Sequence, residues 1–432
     1  MKKISRTLLA LVFVTLSACN RPAPQPKQLP TETNPPPPPS ITAELEPTPT
    51  DFPTLTPTPE ESAPQPPTQK PPQQQPSRPR GADTFPLFKA GQEFNILEIK
   101  MINLDQGWAA ASADPGSKHI LRTRDGGQTW RDVSPPQPLS PDSRIPDLET
   151  AFTGPDAAVV LYSGSDLIWS TTDGGANWTP IQLEFQTQGG GLLSALDQDQ
   201  IWLFQFLDAG MQKVYTAVYR SADGGQSWNK LLDPFQDASI QAFDKTGAVF
   251  ASEQSGWLTR FFRGITPNVV LDLSQDGGQT WTGIPLPPPD PAENIFQDPG
   301  VGCGLYQPFL ASPDQGHFQL SCQPHGDTES RQDYLYKTTN GGQNWEILPI
   351  PPGDLYTVSP DLLFSAGREI QRSDDGGQTW NPVKSVNWDG SFSFVTRDMG
   401  WAVAYDPVDD EYALVKTVDG CQSFEIIRPV IE

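Results

Sequence analysis

From about Phe85 onward the chain is a succession of short apolar runs separated by clusters of turn-forming residues. Some runs, such as Trp401-Ala402-Val403-Ala404, open just after an Asp-x-Gly turn; others, such as His119-Ile120-Leu121-Arg122 and Tyr334-Leu335-Tyr336-Lys337, lead into one recurring octapeptide. Runs of that length bounded by Gly, Asp, Asn and Ser predict short strands joined by tight hairpins. The octapeptide occurs seven times, beginning at Thr123, Thr171, Ser221, Ser274, Thr338, Ser373 and Thr417. It reads Ser/Thr, any residue, Asp/Asn, Gly, usually Gly, two variable residues and an aromatic. The third positions are Asp125, Asp173, Asp223, Asp276, Asn340, Asp375 and Asp419, and the aromatics are Trp130, Trp178, Trp228, Trp281, Trp345, Trp380 and Phe424.

Each octapeptide has the chemistry of a hairpin turn. Asp-Gly and Asn-Gly supply the positive φ that such turns need. The carboxylate can accept turn N–H groups, and the hydroxyl two residues earlier can close the same loop. The aromatic then starts the returning strand, where it can fill the gap between neighbouring sheets. Successive third positions advance by 48, 50, 53, 64, 35 and 44 residues. A period near fifty with one turn at a fixed place fits a four-stranded propeller blade.

A second landmark lies about twenty residues before each box. It is Asp105-Gln106-Gly107-Trp108, Asp199-Gln200-Ile201-Trp202, Ser255-Gly256-Trp257, Asp314 to Phe318, and Asp398 to Trp401, with Asp156 and Asp361 in the corresponding places of the other two units. Strands are predicted near 94 to 100, 107 to 112 and 119 to 123 before the first box, and one strand, Glu425 to Val430, after the last. The expected fold is all-β: a seven-bladed β-propeller of four-stranded blades over residues 83–432, with no strand left over to swap between blades.

The boxes resemble the Asp-box, or bacterial neuraminidase repeat, of sialidases, sortilin-type receptors and the photosystem II stability/assembly factors. The closest pattern is that of the assembly factors, which the Gly-Trp-Ala runs at Gly107 and Gly400 also resemble. The resemblance implies boxes between the third and fourth strands of each blade, on the face away from any ligand, and a lipid anchor as in the cyanobacterial members. It speaks for fold more than for function.

The first 82 residues change the picture from a domain to a displayed domain. Lys2, Lys3 and Arg6 precede the apolar run Leu8 to Leu16, which is too short for a permanent span, and Leu16-Ser17-Ala18-Cys19 resembles a bacterial lipobox. Residues 1–18 are therefore expected to be a signal peptide, and Cys19 the lipidated mature N-terminus. Residues 21 to 80 hold 21 prolines in 60 residues and almost no large apolar side chain, so the linker 19–82 is expected to be an extended tether. At full extension it reaches on the order of 190 Å. The expected location is the bacterial membrane, lipid-anchored and facing out of the cytoplasm.

Charge and cysteine usage narrow the chemistry. The formal net charge is −23, which argues against nucleic acid as partner. The acidic stretch Asp406, Asp409, Asp410 and Glu411 lacks the spacing of a calcium loop and reads as solvated. The longest step between boxes carries an insertion with Cys303 and Cys322, expected to form a disulfide that closes that loop rather than a zinc site with His317 and His325. Cys421, in place of the second box Gly, is expected to be an unpaired thiol. No metal, cofactor or catalytic constellation is predicted, since the chain has three His and no phosphate loop or nucleophile elbow.

Three function classes follow. The first is a non-catalytic propeller, monomeric, that binds a protein or a surface polymer and acts in assembly or as a scaffold. The second is a sialidase-like glycoside hydrolase; its guanidinium clamp would have to come from Arg144, in Arg144-Ile145-Pro146, and from Arg260, Arg263, Arg331 and Arg397. The third is a structural cell-surface protein. Recognition is expected in the loops between blades, with Arg144, Trp169, Trp202, Trp257, Phe261 and Trp388 as candidate contacts and strand packing as the alternative role of the Trp residues.

Overall fold

The apolar runs become strands, and the strands pair in the order in which they occur. The computed structural model describes residues 86–432 apart from 114–116, 137–147, 188–189, 211–212, 238, 243, 263–268, 326–329 and 409–410. The signal, Cys19 and the linker lie outside the described residues.

Seven antiparallel meanders of four strands follow one another. The first is β1 (Asn95–Met101), β2 (Gly107–Ser112), β3 (His119–Thr123) and β4 (Thr129–Asp132); the second is β5 (Leu148–Phe152), β6 (Ala158–Tyr162), β7 (Leu167–Thr171) and β8 (Thr179–Gln182). The third is β9 (Gly191–Ala195), β10 (Ile201–Gly210), β11 (Lys213–Ser221) and β12 (Asn229–Leu232); the fourth is β13 (Asp244–Phe250), β14 (Gly256–Phe262), β15 (Val270–Ser274) and β16 (Thr282–Pro285). The fifth is β17 (Val301–Leu310), β18 (Gly316–Pro324), β19 (Gln332–Thr338) and β20 (Glu346–Pro349). The sixth is β21 (Asp354–Thr357), β22 (Leu363–Ala366), β23 (Glu369–Ser373) and β24 (Asn381–Ser385); the seventh is β25 (Asp389–Phe394), β26 (Gly400–Asp406), β27 (Glu411–Thr417) and β28 (Glu425–Ile427). The described residues are thus all-β, built from four-stranded units, and among them no helix is long and apolar enough to cross a membrane.

Packing explains the sequence pattern. The second strands are covered on both faces, so β6 (Ala-Val-Val-Leu-Tyr) is buried throughout and reads as an unbroken apolar run. Outer strands such as β8 and β24 are largely exposed. Each hydrophobic cluster joins two consecutive meanders, and Trp130, Ile96 and Leu121 of the first pack with Trp401, Val403 and Leu414 of the seventh. The first strands of neighbouring meanders also touch, as β5 with β9, β9 with β13 and β25 with β1.

Every box lies between the third and fourth strands of its meander. In the first, Thr123 Oγ1 bonds to Asp125 Oδ1 at 2.9 Å, the Thr129 N–H donates to Asp125 Oδ1 at 2.9 Å, and the Thr129 hydroxyl donates to Oδ2 at 2.7 Å. The Gly127 N–H donates to Thr123 Oγ1 at 3.0 Å. Gly126 and Gly127 take φ of 74° and 92°, which side chains with a Cβ rarely adopt. Each box aromatic sits in the cluster shared with the preceding meander: Trp178 packs with Trp108 and Val133, Trp281 with Trp202 and Phe204. The second landmark is the turn between first and second strands. It is tied to the box of its own meander by one backbone bond, Gly126 N–H to Asp105 O at 2.8 Å, repeated at Asp156, Asp199, Gln254, Asp314, Asp361 and Asp398.

Two expectations need correction. The last strand is not continuous: it breaks at Arg428-Pro429, and β29 (Val430–Ile431) crosses to pair parallel with β4, Val430 opposite Thr129 and Ile431 opposite Trp130. Pro429 has no N–H to continue the β27 ladder, so a strand is left over after all, and it is spent on joining the seventh meander to the first. The long insertion is likewise no simple loop. Part of it lengthens β17 and β18 into a hairpin in which Cys303 faces Cys322 directly, and the disulfide staples paired strands. Two further pairs, Phe261 with Gly304 and Phe262 with Cys303, fuse the fourth and fifth meanders into one eight-stranded sheet. Replacing both cysteines by Ser is expected to cost about 3 kcal/mol from loop-closure entropy, read as a lower midpoint in urea with the wild type kept oxidised.

Candidate binding face

The meanders have two chemically distinct ends. The box end holds the turns between first and second and between third and fourth strands, and with them the box carboxylates. Hydrogen bonds from the Thr379 hydroxyl and N–H hold Asp375 at about 2, and the Ser423 hydroxyl and N–H lower Asp419. At Asp125 and Asp276 burial pushes the carboxyl up, but the turn donors outweigh it and the net shift is down. Those carboxylates are occupied by their own turns and have little capacity left for a ligand.

A second device at this end escaped the sequence reading. The residue just before a box is basic in five of the seven, Arg122, Arg220, Lys337, Arg372 and Lys416, and that side chain reaches toward the next meander. Arg122 bonds Asp156 and lies over Trp108 at 5.5 Å. Arg220 meets Glu253 at 2.8 Å and lies over Trp202 at 5.0 Å. Lys337 Nζ donates to the Gly376 carbonyl at 2.6 Å, and Lys416 lies 4.8 Å from the Trp401 ring. The indoles beneath complete the stitch: Trp108 Nε1 donates to Gly154 O, Trp202 Nε1 to Gly277 O and Trp401 Nε1 to Gly126 O, at 2.8 to 2.9 Å. The signal was present as a cation one residue upstream of the motif.

The opposite end carries the loops between meanders and the ends of the long hairpins, where recognition is expected. Here Arg331 is locked in place. Its Nε bonds Asp333 Oδ1 at 2.7 Å, and its Nη2 donates to the Ser321 hydroxyl and the Gly353 carbonyl, each at 3.1 Å. Asp333 is fully buried, and among the described residues its Oδ2 has no hydrogen-bond partner. Tyr306 stands beside this group, where burial pushes its phenol up against the pull of Arg331, with Asp354, Asp333 and Asp244 adding to the rise. One meander earlier Arg260 pairs with buried Asp272, and burial together with Arg260 brings Lys245 down to about 7.

The candidate contacts do not gather here. Trp169, Trp202 and Trp257 are buried between meanders, and Trp202 stacks on Phe250 at 3.7 Å. Phe261 and Trp388 are half-buried, Trp388 against Phe392 and Phe424. Arg144 and Arg263 lie outside the described residues. Arg397 is at the box end, bonded to Asp374 at 2.9 Å, whereas Arg260 and Arg331 belong to the other end. These three do not converge on one carboxylate. Among the described residues no group of three His, Cys, Asp or Glu could hold a metal ion.

Residues 84–256 match the family described as "Photosynthesis system II assembly factor YCF48", and residues 371–382 match the BNR/Asp-box repeat. The "Photosystem II assembly protein Ycf48" of Synechococcus sp. (strain JA-2-3B'a(2-13)) is 30% identical over 286 residues, covering 62% of this chain and 70% of that protein. The chain belongs to the Ycf48 photosystem II assembly factor family. The "Photosystem II assembly lipoprotein Ycf48" of Synechococcus sp. (strain CC9902) is 29% identical over 135 residues, 31% of this chain but only 36% of that protein's length. Among solved structures, the polysaccharide lyase Uly1 superposes with a TM-score of 0.52 at 9% identity, covering 76% of this chain and 90% of that one, a likeness of fold alone. Among the boxes of this Ycf48 family member, Cys421 is a local departure. It takes φ 72° where the other boxes have Gly, it is buried, and burial pushes its thiol up to about 12. Its thiol is expected to resist Ellman's reagent in the native chain and to react only after unfolding, which stopped-flow absorbance would check.

Proposed function

We propose that the seven meanders are the blades of one closed propeller, lipid-anchored through Cys19 and displayed outside the cytoplasm on the Pro-rich tether, and that this propeller is a non-catalytic assembly factor acting by binding a protein. The observation that carries the reading is the 30% identity to the Ycf48 assembly protein over 70% of its length. The side chains support it. A sialidase-like site needs a free guanidinium clamp and an activated Tyr. Arg331 is held by Asp333, Ser321 and Gly353, and burial keeps the Tyr306 phenol protonated.

The test is affinity capture of the full-length, tagged chain from membranes of its own cells, with a fluorogenic sialoside assay on the same preparation. A stoichiometric membrane-protein partner without sialoside turnover is the expected result. Turnover with no co-purifying protein overturns the reading in favour of the hydrolase. Labelling with radioactive palmitate, lost in Cys19→Ala, checks the anchor separately.

A further inference from the structure

The seventh meander has an open edge that four of the others close. In the second, fourth, fifth and sixth, the residue after the fourth strand donates its N–H back to the third strand: Leu183 to Asp166 O, Leu286 to Val269 O, Ile350 to Asp333 O and Val386 to Arg368 O, at 2.7 to 3.1 Å. Each acceptor lies five residues before the start of its box. In the seventh the acceptor at that place is Tyr412, and the matching donor is Pro429, which has no N–H. Pairing of β28 with β27 accordingly ends at Leu414 opposite Ile427, and the chain leaves to join β4. The main chain of Tyr412 faces outward, and among the described residues no strand pairs with it on that side.

A cleft of about 740 Å³ occupies the space a longer β28 would have filled, lined by Glu93 and Phe94 on one side, Tyr412 on the other, and Ile426, Ile427 and Arg428 at its end. Two of its lining side chains, Tyr412 and Ile426, are large, apolar and more than 40% exposed. A residue in a strand presents N–H and C=O to the same neighbour, so Tyr412 offers one donor and one acceptor to an incoming backbone. Open edges with apolar rims are where extended peptides add as an extra strand.

We propose that this edge takes an extended segment of a partner protein as an added strand, one in which basic residues alternate with β-branched ones. Charge sets the sign. The cleft carries Glu93 and Glu411 against Arg428, and the chain as a whole is at −23, a field that draws a basic segment in. The chain's own tether fits poorly, since 21 prolines in residues 21–80 remove the N–H groups that strand addition needs. The site gives a location and a partner chemistry to the protein-binding function proposed above and rests on it.

The experiment is fluorescence anisotropy of a labelled Lys-Val-Arg-Ile-Lys-Val peptide with the full-length chain. Expected are saturable binding, at least tenfold weakening when alternate peptide amides are N-methylated, and at least tenfold weakening in the double variant Glu93→Lys, Glu411→Lys. Tyr412→Pro, which removes the edge N–H, should weaken binding equally; the charge variant keeps the test decisive should the proline variant fold poorly. Absence of binding, or binding indifferent to N-methylation, overturns the proposal. Stronger binding of a peptide copied from residues 45–60 overturns it in favour of the tether, and a dimer dissolved by the basic peptide overturns it in favour of a second copy. Should the basic peptide fail while capture from membranes still yields a stoichiometric partner, the edge site falls and the assembly function stands.

Discussion

Replacing Trp401 by Ala lowers the unfolding free energy by about 3–5 kcal/mol, the cost of a large cavity at a fully buried aromatic, with the urea transition moving to lower concentration. Trp401 belongs to the seventh meander but packs among Trp130, Leu121 and Ile96 of the first, at 0% exposure. Its indole N–H donates to Gly126 O, 275 residues away in sequence, at 2.9 Å, and the Lys416 ammonium lies over its ring. Deleting the side chain therefore removes apolar contact, leaves a turn carbonyl without its donor, and loosens a seam whose partners lie at opposite ends of the domain. Trp388→Ala is the control. That residue is half-buried within the sixth and seventh meanders, so its loss leaves the seam intact and should cost less. Equal costs for the two would mean that the first and seventh meanders do not hold each other, and that closure comes from elsewhere.

Much of this seam was legible before any coordinates. The octapeptide, its period and the Asp-x-Gly-Trp landmark place all four strands of each meander, because turn chemistry is local: a Ser/Thr hydroxyl, a carboxylate and two glycines suffice to specify the bend. The start of the second strand follows, since Trp108 and Trp401 open apolar runs directly after their Asp-x-Gly turns. What could not be read is whatever depends on a neighbouring sheet. The stitching role of Arg122, Arg220 and Lys416 needs the next meander's turn in place: the recurring cation upstream of the motif is visible in the sequence, but what it reaches is not. The crossing of β29 to β4 hinges on Pro429, whose missing N–H matters only once the ladder it interrupts is known. The disulfide partners were plain from their isolation, but their placement across paired strands was not, because nothing local distinguishes a long hairpin from a loop rich in Pro. The candidate Trp contacts went into the core for the same reason: exposure belongs to the assembled sheets.

Acidification is expected to lower the chain's stability in two stages that separate by pH. The first belongs to His317, which is buried, bonded to the Thr357 hydroxyl at 2.8 Å, and lowered to about 3, first by burial and then by Lys337. An unfolded His titrates near 6.5, so between about 6.5 and 3 the unfolded chain binds a proton that the folded chain refuses. The unfolded state then holds more protons, and stability falls with falling pH at up to about 1.4 kcal/mol per pH unit. The second stage belongs to the box carboxylates, lowered by their turn donors and reaching about 2 at Asp375. A depressed carboxyl contributes stability that is complete above its unfolded value near 3.9 and is lost as pH drops toward 2. Urea midpoints measured from pH 7 to 3.5 should therefore decline for the wild type. In His317→Gln, which keeps an amide donor for Thr357 and cannot titrate, they should stay nearly flat over that range. Below pH 3.5 both chains should lose stability together, because the boxes are the same in each. A wild-type profile that is level down to pH 4 would show that His317 accepts its proton without opening the fold, and that the hydrogen bond to Thr357 is worth less than the burial around it suggests.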